Sequence, residues 1–227
     1  MAGRQEKIRQ WAGFSRALLH MIPMLNAVIM GAETADTMTA AAAERTAVIM
    51  NKERAGQEIL RSGGDRMRIR HANMQDLDRL AEIEAASYPA AEGASRQSLE
   101  GRLQYYPDHF WLLESDNGQI TAFVNGFATM EKDLTDEMYD QPQMHDAEGD
   151  WQMIFSVVTD PRYRKQGYTG ILLRQVISDA GKEHRKGIVL TCKERLIPFY
   201  SKFGFQNEGV SESVHGNVVW YQMRLTF

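Results

Sequence analysis

The chain is poor in cysteine, with Cys192 alone among 227 residues. One thiol excludes an internal disulfide and leads us to expect a reducing, cytoplasmic compartment. No His or Cys cluster stands at ligand spacing, so no metal site is expected. There is no basic excess either. The formal net charge is -4, which offers no electrostatic footprint for nucleic acid. No run reaches the roughly 18 to 20 consecutive apolar residues of a membrane-spanning helix, so no membrane partner is expected. The nearest approach is "ALLHMIPMLNAVIM", 17–30, which follows Arg4, Lys7, Arg9 and Arg16 like the core of a signal peptide. His20, Pro23 and Asn26 interrupt it and no convincing cleavage site follows, so it reads as a soluble or partly buried helix.

What is present is globular: 43% hydrophobic and 25% charged residues. The composition changes near Met67. Residues 1–66 are rich in Ala and Met, lack strand-like alternation, and read as a helical or poorly ordered extension. A helix is expected over Asp36 to Glu58 around the strong helix formers Ala40 to Ala43, with a hinge at Gly63-Gly64. Gly63-Gly64-Asp65 can be encoded by a purine-rich bacterial ribosome-binding sequence at a suitable distance before Met67. Two readings therefore stand together: Met67 as the authentic start after a translated upstream region, or a genuine helical appendage.

Residues 67–227 read as one domain. "MRIRHA" alternates like a strand. Leu77, Leu80, Ala81 and Ile83 recur near helical spacing, with Asn73 or Asp76 available as cap, and Ser95 caps a second helix that ends before Pro107. "HFWLLES" and "ITAFVNGFATM" flank a tight turn at Asp116-Asn117-Gly118. A polar, acidic loop spans Glu131 to Asp150. "WQMIFSVVT", Trp151 to Thr159, is apolar on nearly every position, as at the centre of a sheet. A helix over Gly167 to Gly181, the strand "GIVLTC", a helix in "LIPFYSKFGF" and two late strands complete an α/β fold with a mixed sheet.

The stretch after the apolar strand, "YRKQGYTGILLRQ", is the first candidate site. The opening turn of a helix leaves N–H groups unpaired at the positive end of its dipole, and Gly167 lets the backbone come close to a ligand. Arg162, Arg164 and Lys165 add cations, so a diphosphate cradle is one reading and an ordinary helix start the other. A P-loop is excluded because Ile171 follows Gly170, and the spacing of Gly167 and Gly170 does not supply a dinucleotide fingerprint.

Arg164, Lys165, Gln166, Gly167, Tyr168 and Thr169 resemble the Arg/Gln-x-x-Gly-x-Gly/Ala acyl-CoA loop of the GNAT acetyltransferases, with Thr169 departing from the usual Gly or Ala. "LTCKERLIPFYSKFGF" resembles the late strand and helix of that superfamily, in particular its serotonin (arylalkylamine) N-acetyltransferase branch, and "YPAAEGAS" resembles that branch's acceptor loop. The resemblance covers about residues 67 to 227. It implies a mixed, mostly antiparallel sheet flanked by helices, and direct acetyl transfer from acetyl-CoA to the primary amine of a small molecule or peptide. It further implies that the pantetheine arm lies along Val157, Val158 and Thr159, that the diphosphate lies on Lys165 to Gly170, and that Tyr200 is the general acid. The branch's two relay histidines fall on Met153 and Phe155, which cannot accept a proton. Glu92 is then the first candidate base, with Glu84 and Glu131 behind it. Tyr88, Glu92 and Glu131 are the candidate acceptor-binding residues, and the acidic loop, if it rims the pocket, favours a cationic amine. His145 and His215 are given no role, and Cys192 is read as core. The rival reading is a non-catalytic acyl-CoA sensor.

Overall fold

Alternating and doubly apolar segments find one another across a single sheet in the computed structural model, which describes residues 57–60 and 66–227. Its strands are β1 (Gln57–Leu60), β2 (Arg66–His71), β3 (Phe110–Ser115), β4 (Ile120–Thr129), β5 (Trp151–Thr159), β6 (Gly187–Cys192), β7 (Gln206–Val210) and β8 (Tyr221–Thr226). Among the described residues five α-helices accompany them: α1 (Leu77–Ser87), α2 (Arg96–Tyr105), α3 (Glu137–Asp140), α4 (Tyr168–Lys182) and α5 (Ile197–Ser201). The strand order is β1-β2-β3-β4-β5-β6-β8-β7, and every neighbouring pair is antiparallel except β5 and β6.

Two apolar cores cover the sheet, one on each face. On one, Leu172, Leu173 and Val176 of α4 pack with Val124, Ile154, Ile188 and Leu190. On the other, Leu80 and Ile83 of α1 and Leu99 and Leu103 of α2 pack with Phe110, Phe123, Phe127 and Met153. The helix starts follow from their caps. The Asn73 side chain accepts from Gln75 N and caps the short 3-10 turn Met74–Asp76 that leads into α1, while Ser95 Oγ caps α2 by accepting from Ser98 N at 3.0 Å. The β3–β4 hairpin turns on Gly118, whose φ of +77° suits glycine.

Two irregularities shape the centre of the sheet. The β4–β5 register slips so that Gly126 faces Ile154 while Asn125 faces Ser156, and Phe155 is the extra residue of a β-bulge. Gly126 is required at this crossing, because a Cβ there would lie 1.8 Å from the Met153 carbonyl oxygen. On the other side, the parallel β5–β6 ladder runs from Trp151↔Gly187 to Ile154↔Leu190 and stops, although β5 continues to Thr159.

The structure differs from the sequence-based expectation at two places. Gln57 and Glu58, expected to close a helix in a stretch without strands, instead belong to β1, where Gln57↔Ile69 to Leu60↔Arg66 pair with β2. A four-residue edge strand is specified by its partner's ladder more than by its own propensity. The rest of the expected helical extension, and the hinge, lie outside the described residues. All described elements belong to one compact unit, Gly56–Phe227. The acidic segment expected as loop also forms α3, held by the buried Met138. Among the described residues no helix is long and apolar enough to cross a membrane, and no three His, Cys, Asp or Glu side chains gather as metal ligands.

Candidate active site

Where β5 and β6 part, a cavity of about 240 Å³ opens. Its walls come from Ile154 to Val157 of β5, Leu190 and Thr191 of β6, Tyr200 of α5, the loop Ala90 to Ser95, Arg102 of α2, Tyr139 of α3, and His215 and Trp220. Beyond Ile154, β5 has no strand partner on this side among the described residues, so its outer edge is available to a ligand backbone. The Val157 carbonyl oxygen accepts from Tyr88 Oη at 3.2 Å, and the Thr159 carbonyl accepts from Ser87 Oγ and Arg164 Nε at 3.5 and 3.4 Å. These are side-chain contacts to groups that a ladder would otherwise occupy.

The loop after β5 leads into α4 through two left-handed residues, Lys165 at φ +64° and Gly167 at φ +79°. Asp160 fixes the start of this loop. It accepts from Arg162 N at 2.9 Å and pairs with the guanidinium groups of Arg162 and Arg79, which hold its carboxyl well below the usual range. Arg162, Arg164, Lys165 and Gln166 reach outward at or beside the surface. Open space surrounds the position a Gly167 Cβ would take, whereas a Cβ on Gly170 would meet the Phe203 ring at 3.2 Å. Gly167 therefore serves the turn and Gly170 the packing of α4 on Phe203. Thr169 Oγ1 and Thr159 Oγ1 are 2.8 Å apart, which ties the departing hydroxyl to the end of β5.

Tyr200 lines the cavity, is 6% exposed, and packs against Phe199 and Phe205. Its hydroxyl has no hydrogen-bond partner among the described residues. Burial first, with Tyr88 and Cys192 nearby, pushes its pKa well above the ordinary phenol range, so the phenol stays protonated. Cys192 is buried, and burial pushes its thiol up to about 11.

The acids are sorted by their partners. Both carboxylate oxygens of Glu92 face Lys193 Nζ, at 2.8 and 2.7 Å. Glu131 sits on the exposed stretch after β4 and is not among the cavity-lining residues. Three acids of the acidic segment are engaged elsewhere: Asp133 with Arg224, Asp136 with Ser213 and Val214, and Asp150 with Lys186. Asp140 alone of that segment's acids lines the cavity. Glu84, 1% exposed, lines it from α1. Its Oε1 accepts from Ser156 Oγ at 2.9 Å and Ala94 N at 3.1 Å, while Oε2 has no hydrogen-bond partner. Burial raises its pKa against these hydrogen bonds and the pull of Arg102.

The structure thus brings Tyr88, Glu92, Val157 and Tyr200 around one cavity and places the 164–170 loop at the far end of β5. Ser156, Arg102, Tyr139 and His215 are among the lining residues to which the sequence assigned no role. The His215 ring stacks on Tyr139 with centroids 4.8 Å apart, and its Nε2 lies 3.0 Å from the Glu92 carbonyl oxygen. His145 sits elsewhere, in a second cavity with His109. Met153 is fully buried in the core, whereas Phe155 lines the cavity beneath Arg102, whose guanidinium lies 5.0 Å from its ring centroid.

The family model for the Acetyltransferase (GNAT) family matches residues 77–205, which hold both the loop and Tyr200. The chain belongs to the GNAT acetyltransferase family. It is similar to the serotonin N-acetyltransferase of Mesocricetus auratus, at 26% identity over 110 residues, which is 48% of this chain and 52% of that protein. The chain thus spans about half the length of this curated relative. Among solved structures, the loading GNATL domain of CurA from Lyngbya majuscula superposes with a TM-score of 0.61 at 15% identity, covering 70% of this chain and 97% of that one. The GNAT-like decarboxylase GphF, in complex with isobutyryl-CoA, gives a TM-score of 0.57 at 20% identity over 70% and 98% of the two chains. At these identities the structural likenesses show the fold, and they agree with the mostly antiparallel sheet flanked by helices.

Proposed function

We propose that this GNAT chain is an acetyl-CoA-dependent N-acetyltransferase that passes the acetyl group directly to a primary amine of a small molecule or peptide. The observation that carries the reading is the open edge of β5 beyond Ile154, flanked by the Gly167 turn into α4 and by Tyr200. Backbone groups of Val157, Val158 and Thr159 would hold the pantetheine arm as an added strand, with the Tyr88 hydroxyl giving up or sharing the Val157 carbonyl. Lys165 to Gly170 would hold the diphosphate on first-turn amides, with Arg164 and Lys165 as cations. Bound there, the coenzyme supplies a thioester for attack by an amine.

Tyr200 is the proton donor to the leaving sulfur. Its buried phenol is loaded throughout the neutral range, and the sulfur gains the basicity to take a proton only as the carbon–sulfur bond breaks. The cavity admits a modest acceptor, and its aromatic walls, Tyr139, Phe155 and Trp220, suit an aryl or alkyl amine. Calorimetry with acetyl-CoA tests the reading first, and absence of binding at high micromolar coenzyme overturns it. Thiol release over tryptamine, spermidine and a lysine-bearing peptide tests it second. Binding without turnover of any amine would leave a coenzyme sensor instead.

A further inference from the structure

We propose that Ser156 and Glu84 form the proton path from the acceptor amine, Ser156 Oγ touching the amine and Glu84 holding the proton behind it. This deepens the N-acetyltransferase reading and rests on it. The bulge supplies the geometry. Because Phe155 is the extra residue, Ser156 faces the same helix-covered side as Phe155 rather than the opposite one. Ser156 lines the cavity and its hydroxyl donates to Glu84 Oε1 at 2.9 Å, while Ala94 N donates to the same oxygen at 3.1 Å.

The second oxygen, Oε2, is buried with no hydrogen-bond partner, an arrangement that costs free energy in a structural carboxylate and suits one that takes up a proton. The charged and titratable groups facing Glu84 are few. Arg102 comes from α2 and Tyr88 from the end of α1, while β5 presents the uncharged Ser156. Arg102 spends its own hydrogen bonds on the neutral oxygens of Asn125 and Tyr139, so it balances the Glu84 charge without a direct bond. Glu92, by contrast, is held by Lys193.

The protons balance as follows. The ammonium form of the acceptor gives one proton to Ser156 Oγ as Ser156 gives its own to Glu84, leaving a neutral amine. The nitrogen–carbon bond then forms and the carbon–sulfur bond breaks. Tyr200 protonates the sulfur, and the second proton lost by nitrogen restores Tyr200, while the proton on Glu84 returns to solvent. The products are the amide, the free thiol and one proton.

The test measures thiol release against pH with whichever of tryptamine, spermidine or the lysine-bearing peptide turns over, alongside acetyl-CoA affinity by calorimetry. Glu84→Gln should lower kcat by about a hundredfold or more and abolish the acid limb that Glu84 sets, with coenzyme affinity within about threefold. Glu84→Asp should restore part of the rate and the limb, which a merely structural role would not do. Ser156→Ala removes one oxygen and should lower kcat similarly while the carboxylate remains. An infrared carboxylic-acid band that titrates in the intact enzyme and vanishes in Glu84→Gln gives a readout independent of turnover. An acid limb retained in Glu84→Gln, or a kcat within threefold of the parent in Ser156→Ala, overturns the relay. A parent enzyme that binds coenzyme yet acetylates no amine overturns the N-acetyltransferase reading itself, and the relay falls with it.

Discussion

Replacing Tyr200 by Phe isolates one oxygen atom. The ring stays, and with it the edge contacts to Phe199 and Phe205 at centroid distances of 5.2 and 6.0 Å. Among the described residues no hydrogen bond to this hydroxyl is found, so Tyr200→Phe should change stability by less than about 0.5 kcal/mol. The coenzyme contacts proposed for β5 and α4 do not use the phenol, so affinity for acetyl-CoA should hold within about threefold. The rate is where the oxygen counts. A positioned general acid contributes about 10² to 10⁴ in rate, which at about 1.36 kcal/mol per decade is roughly 2.7 to 5.4 kcal/mol of barrier. Steady-state thiol release, calorimetry and a thermal melt on the same preparation separate the three quantities. Because burial holds the phenol above its ordinary range, the intact enzyme should also show no fall in kcat as pH approaches 10. A Tyr200→Phe rate within threefold of the parent would refute the assignment. So would a loss of rate matched by an equal loss of coenzyme affinity, which would make Tyr200 a binding residue.

Gly167→Ala should cost about 1 to 2 kcal/mol, because φ +79° places a side chain in the left-handed region, and should weaken acetyl-CoA binding by about tenfold; an unchanged melt and unchanged titration would remove the turn from the site. Burial keeps His109 neutral and lowers its pKa to about 3, so the unfolded chain takes up a proton first as pH falls below about 6.5. Stability contributed at neutral pH is then lost at about 1.4 kcal/mol per pH unit between those values, and urea unfolding of His109→Gln at pH 7 and 5 should show one proton less of acid sensitivity. Tyr88, Tyr106, Tyr139 and Tyr200 are all raised, chiefly by burial, so stability should fall above about pH 10 as the unfolded chain releases protons that the fold retains; tyrosinate absorbance should rise together with unfolding rather than before it. A chain begun at Met67 loses the β1 ladder but keeps every site residue, so it should melt lower while still binding acetyl-CoA, and a native N-terminus mapped to Met1 by mass spectrometry would defeat Met67 as the start.

The parts of the fold that could be read in advance are those specified within a few residues. The Asp116-Asn117-Gly118 turn, the Ser95 cap and the glycine start of α4 each carry their own chemistry locally. Tyr200 and the 164–170 loop were singled out for a further reason, namely the family resemblance of their flanking segments, and their roles are proposals. The acids were not. Glu92 lost its claim as a free base to Lys193, which lies 101 residues further along the chain. Glu84 gained its claim through Ser156, 72 residues away. His215, which was given no role from the sequence, also lines the cavity. Such pairings depend on which strands adjoin, and no local pattern encodes them.

Met153 and Phe155 show how a sound local rule misleads. Strict alternation puts 153 and 155 on one face of β5 and 156 on the other, so two apolar side chains there read as the loss of the histidine relay, with no substitute on β5 itself. Alternation holds only while the register holds. Gly126, which lets the Met153 carbonyl approach where no side chain fits, marks the place where the register slips, and the slip carries Ser156 onto the face of Phe155. The same stretch of β5 is where the ladder to β6 ends, so the strand turns a hydroxyl toward Glu84 just as its far edge becomes free. An edge without the hydroxyl would suit a coenzyme binder with no acceptor chemistry. A hydroxyl without the edge would suit a buried structural serine. Their coincidence at one irregularity in β5 is what favours a catalyst over a sensor.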